Sequence, residues 1–119
     1  MIKIIPFKNF LFFFSVFLAY SCAKDKVNYT APPNCPDTVS FNQEVLPLIQ
    51  TNCTGCHNQG NPSCGYIFTN HSNISSSADA ILGSMHANGY QLMPLGGPAL
   101  ADSLIQKIEC WIYQGKLDN

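Results

Sequence analysis

Three residues able to do chemistry stand within five positions of one another: Cys53, Cys56 and His57, in the stretch NCTGCHNQG. Two thiols at this spacing can act as a redox dithiol. Two thiols and an imidazole can also hold a metal ion, given further ligands. The same three groups can anchor a haem covalently: the thiols add to its two vinyl groups and the imidazole ligates its iron from the proximal side.

Each chemistry asks for different company elsewhere in the chain. A thioredoxin-like dithiol asks for a βαβ setting, and the sequence has helical patterns but no strand pattern of comparable quality. A zinc ribbon asks for a second Cys-x-x-Cys or a His pair, whereas Cys64, Cys110, His71 and His86 stand singly. Composition alone produces Cys-x-x-Cys-His in under about 1% of chains with these residue counts. The pattern points to one covalently bound haem c, with a zinc-binding structural domain as the remaining alternative.

The chain has 119 residues, room for one domain with a small core. It contains no arginine and carries a formal net charge of −1, so neither a phosphate-reading surface nor nucleic-acid binding is expected. Lys3 and Lys8 precede the apolar run LFFFSVFLAY, which is shorter than the roughly 20 residues needed to span a bilayer. A basic start and a run of this length read as a secretory signal, and c-type attachment takes place outside the cytoplasm. The run ends in AYSC, which resembles the lipobox of bacterial lipoproteins, although Leu18 stands one place earlier than the usual leucine. The expectation is a signal peptide over 1–21 and lipidation at Cys22, two acyl chains making a firm anchor. The alternative is an ordinary signal peptide. Residues 22–35 are polar and proline-bearing and read as a flexible tether. From Cys22 onward four lysines stand against seven acids, a net charge of −3.

Positioning the three residues falls to short helices. Ser40 with Gln43 and Glu44 resembles a capping box, and Phe41, Val45, Leu46 and Ile49 follow at helical spacing. Pro47 should kink or split this helix before Cys53. Asn58 to Ser72 reads as a loop. Ser75 to Ser77 could cap a second helix through Ala78, Ile81, Leu82 and Met85, and 88–98 reads as a breaker-rich loop. Leu104, Ile105, Ile108, Trp111 and Ile112 form the clearest stripe, with Asp102 to cap it and Gly115 to end it. A core this small is marginal unaided, so a large bound group is expected to fill the middle.

The segments SFNQEVLPLIQTNCTGCH, LMPLGG and DSLIQKIECWIYQGK together resemble a class I monohaem cytochrome c, more narrowly the small cytochrome c domains borne on bacterial lipoproteins. The resemblance covers residues 36–119. It implies an all-α, small cytochrome c-like fold of three to four short helices with long loops around a covalent haem. It implies thioether bonds at Cys53 and Cys56, His57 as proximal ligand and Met93, before Pro94, as distal ligand. Met85, His86 and His71 compete with Met93. Trp111 matches the aromatic of the final helix. Tyr66, Tyr90 and Gln91 are candidate donors to the haem propionates, and the Pro62 carbonyl is a candidate acceptor for His57 Nδ1–H. Because first and last helices cross in that fold, it favours a Cys35–Cys110 disulfide, with Cys64–Cys110 as the alternative.

The function so implied is electron transfer by an exported, lipid-anchored carrier facing the periplasm or cell surface. It is not an enzyme in itself: Ser72, Ser75, Ser76 and Ser77 have no partner pattern suggesting hydrolysis, and no small-molecule substrate is evident. The rival is a haem-bearing sensor, or an accessory subunit of a membrane-bound enzyme complex, with an open distal site. The partner is an unidentified redox protein. With only Lys107 and Lys116 in the domain, docking should depend weakly on salt.

Overall fold

The computed structural model describes residues 34–119. The expected signal peptide, Cys22 and nearly all of the tether lie outside the described residues.

Ser40 starts the first helix as expected, and Glu44 is the one of its two candidate partners that closes the box. The Ser40 hydroxyl accepts from Gln43 N at 3.2 Å, while Glu44, not Gln43, reaches back to accept from Ser40 N at 3.1 Å. The opening turn, Phe41–Val45, is π-helical, with Val45 N donating to Ser40 O at 3.2 Å. That wider turn moves the back-reaching acid one place along. The wide turn gives way to helix α1, Leu46–Asn52, one residue ahead of Pro47. Proline has no N–H to continue the ladder; the helix changes winding just before it but stays right-handed through Val45 and Leu46 and is not broken.

After α1, Cys53 N donates to Ile49 O and His57 N to Cys53 O, which winds the Cys-x-x-Cys-His stretch into tight turns. A two-rung antiparallel ladder follows, β1 (His57–Asn58) with β2 (Asn61–Pro62), His57 opposite Pro62. Asn58 Oδ1 makes its turn by accepting from Gly60 N and Asn61 N at 2.8 and 2.9 Å. A strand this short has no period for a sequence to display. Helix α2, His71–Ser76, is capped by Asn70, whose Oδ1 accepts from Asn73 N at 2.9 Å. Asn70 supplies a cap that the sequence analysis did not single out, so the helix begins at His71, inside the end of the expected loop. Helix α3, Ala78–Met85, follows Ser77 without a side-chain cap.

Helix α4 spans Asp102–Tyr113. Ala101, not Asp102, is its N-cap residue and makes no side-chain bond; Asp102 instead lies in the first turn, where its charge favours the helix dipole. Gly115, at φ +94°, ends it. Gly115 N donates to Ile112 O and Lys116 N to Trp111 O, the paired bonds of a Schellman ending.

The described residues form a small, mostly helical domain. Phe41, Val45 and Ile49 pack with Ile74, with Ala78, Ile81, Leu82 and Met85 of α3, and with Ile105, Ile108, Trp111 and Ile112 of α4. No polar or charged residue is buried among them. Trp111 Nε1 donates to Leu117 O at 2.9 Å, which allows the indole to be fully buried. The chain end straps the first helix down: Asn119 Oδ1 accepts from Phe41 N at 2.7 Å, and Asn119 O accepts from Asn42 N and Ser40 Oγ. Cys35, the last residue of the expected tether, is bonded to Cys110 of α4, and Gln106 Nε2 donates to Asn34 O at 3.0 Å.

Candidate functional site

The turns that follow α1 bring Cys53, Cys56 and His57 to a cavity of about 400 Å³, within the size range of pockets that hold small-molecule ligands. Ile81, Ser84 and Met85 of α3 line it, as do Tyr66, Phe68 and Leu100. The loop after α3 adds Tyr90, Gln91, Met93, Pro94 and Leu95. No charged residue is among the lining.

His57 is held from both directions along the backbone: its N–H donates to Cys53 O at 3.0 Å and its carbonyl accepts from Phe68 N at 2.9 Å. Its ring packs on Phe68, with centroids 4.9 Å apart, and meets Tyr66 edge-on at 6.3 Å. Nδ1 is buried and has no hydrogen-bond partner among the described residues. Pro62 pairs with His57 along the ladder, yet its carbonyl does not reach Nδ1, so the acceptor expected there is absent. An orphaned buried nitrogen is costly; it is the other ring nitrogen, Nε2, that could hold a bound group, beside the two thiols at the same cavity.

The three thiols differ. Cys53 is half-buried, and burial pushes its thiol up to about 11. Cys56 and Cys64 are exposed, and Cys64 also borders the cavity. A redox dithiol works through a thiolate stabilised below its ordinary pKa, and Cys53 is shifted the other way. Among the described residues no group of three or more His, Cys, Asp or Glu side chains is placed to hold a metal ion. The residues fit a porphyrin-anchoring site better than a closed zinc site.

Of the four residues considered as second axial ligand, two reach the cavity. Met93 does so from the loop, partly buried, with its N–H donating to Ser84 O at 3.1 Å. The Met93–Pro94 peptide is cis. Met85 also lines the cavity but is 4% exposed and belongs to the core. His71 is engaged elsewhere: its ring meets Phe41 and Trp111 edge-on and Nε2 lies 2.8 Å from Lys116 O. His86 is exposed and lies 2.8 Å from Glu109 Oε1. Neither histidine lines the cavity.

Tyr66, Tyr90 and Gln91 all border the cavity, so the candidate donors are together there. Trp111 does not; it is a core residue. Phe68 and Ile81 are wall residues to which sequence reading gave no role in the site. Phe68 stands in a stretch without periodicity, and Ile81 was read only as one of a helix's apolar positions.

Comparison of the chain with protein families, with curated proteins and with solved structures found no match in any of the three.

Proposed function

We propose that this chain is a monohaem electron carrier resembling a class I cytochrome c, exported and held at a membrane by lipid on Cys22. One observation supports the reading most. A single apolar cavity gathers both thiols, the imidazole of His57 and the thioether of Met93, and has neither His71 nor His86 in its wall.

A bound c-type haem would supply one-electron chemistry between ferric and ferrous iron. Cys53 and Cys56 would hold it by thioether bonds, and His57 and Met93 would be its axial ligands. A thioether ligand raises the potential relative to a second imidazole. Phe68, Ile81 and Leu100 give the cavity apolar walls, and an apolar surround tunes potential in such a site. Tyr66, Tyr90 and Gln91 would offer hydrogen bonds to the propionates. If His57 and Met93 both held the iron, no ligand position would be left open, which would favour a carrier over a sensor. The exposed apolar Leu95 and the uncharged lining suit a docking face that depends weakly on salt.

Haem staining of a denaturing gel tests this directly. The wild-type band stains, Cys53→Ala or Cys56→Ala weakens the stain, and the double substitution abolishes it. A stained band from the double variant would overturn covalent attachment at these residues.

A further inference from the structure

Gly83 stands inside α3, where glycine is the least favourable residue after proline. Its backbone is helical and asks for no special freedom. The reason for it is steric. A Cβ there would lie 2.7 Å from Tyr90 Cε2, nearer still to Cδ2, and 3.3 Å from Asn88 O. The Tyr90 ring rests on the bare backbone of Gly83, closer than any other residue at that position would permit. Two backbone bonds flank this contact: Asn88 N donates to Gly83 O at 2.8 Å and Met93 N to Ser84 O at 3.1 Å. The loop is thus turned back onto the last turn of α3 on both sides of Tyr90. Beyond Met93 the loop makes one further backbone turn, Gly97 N donating to Pro94 O at 3.2 Å.

We propose that Gly83 and Tyr90 form a seat that sets the position of Met93 at the cavity. They act as a positioning pair, not as ligands. The inference rests on reading Met93 as the distal ligand, but the seat itself is a property of the folded chain. Without it, Tyr90 swings out, the bonds at Asn88 and Met93 open more often, and the thioether is presented over a wider range of positions. A helix-weakening glycine is then kept because alanine would displace the ring that holds the ligand loop.

The test uses the full chain with Gly83→Ala, Tyr90→Ala, both together, and Tyr90→Phe, which keeps the ring but not the hydroxyl. Hydrogen exchange at the Met93 and Asn88 amides reads the seat directly. Gly83→Ala and Tyr90→Ala should each speed that exchange on the order of tenfold, the scale of one lost aromatic contact. The double variant should be no faster than either single one, because both remove the same contact. Tyr90→Phe should keep the protection. The thermal midpoint of Gly83→Ala should not fall, because alanine favours the helix. In the haem-loaded protein, Gly83→Ala should bind CO where wild type does not. Unchanged exchange in Gly83→Ala, effects that multiply in the double variant, or faster exchange throughout with a lowered midpoint would each overturn the seat. If exchange behaves as expected while wild type itself binds CO, the seat stands and the reading of Met93 as ligand fails.

Discussion

Met93→Ala separates a ligand from a packing residue, because the structure gives the two methionines at the cavity opposite burdens. Met85 is 4% exposed, so its truncation to alanine should cost about 2–5 kcal/mol whether or not haem is bound. Met93 is only partly buried. Full burial of a methionine is worth about 1.5–3 kcal/mol, so in the haem-free chain Met93→Ala should cost about 1–2 kcal/mol. In the loaded chain the cost of Met93→Ala rises while that of Met85→Ala does not. Met93→Ala then also removes the iron bond that pins the 88–98 loop, and the stability loss should exceed the haem-free value by more than the error of a denaturation curve. The long-wavelength charge-transfer band of ferric methionine ligation should vanish, CO should bind, and the potential should fall. Met85→Leu conserves volume, should cost under about 1.5 kcal/mol, and should leave the band in place. The assays are the ferric spectrum, CO titration and chemical denaturation of both forms. A band that survives Met93→Ala and disappears in Met85→Leu refutes the assignment. A band absent from the wild type would send the search back to His86 and His71, although their bonds to Glu109 and Lys116 would then have to break.

Replacing Cys35 and Cys110 together by alanine opens a bridge across 75 residues and should lower stability by about 4 kcal/mol in urea denaturation; a change under about 1 kcal/mol would show that the bridge does not constrain the unfolded chain. The Lys107 ammonium and the Ser40 N–H hold the Glu44 carboxyl below its ordinary value. A carboxyl lowered in the folded state adds stability above its unfolded value, and this is lost as pH falls through the folded one. Glu44→Gln should therefore be less stable than wild type at neutral pH, by at most about 1 kcal/mol for so exposed a pair. That gap should close below about pH 4, and a gap independent of pH would contradict the assignment. Cys22→Ala should end fatty-acid incorporation and move the protein from membranes to the soluble fraction; labelled fatty acid in the variant would refute lipidation at that residue.

Features of short range were legible in the sequence. The spacing of Cys53, Cys56 and His57 is written in five positions, and the turns that present them follow directly from the end of α1. Ser40 capped the first helix and Gly115 ended the last one, since a cap and a left-handed ending are decided by residues three or four apart. The stripe of α4 became the core because its period alone determines which side is apolar. Even at this range the reading was partial: Ser77 stands at the N-cap position of α3 but makes no side-chain bond there, and the cap that Asn70 gives α2 was not singled out.

What pairs residues far apart was decided by tertiary structure. Met85, Met93, His71 and His86 can all ligate iron by their chemistry, and only the packing brings the two methionines to the cavity and commits the histidines to Lys116 and Glu109. The choice of Cys110 for Cys35 depends on α4 lying beside the start of the first helix, where Gln114 also bonds Val39 and Asp37. The need for glycine at 83 is invisible along the chain, because it is set by a ring seven residues away that returns through a loop. These pairings are made by contacts whose loop-closure entropy is met only once the whole core is buried, so no local run of residues encodes them.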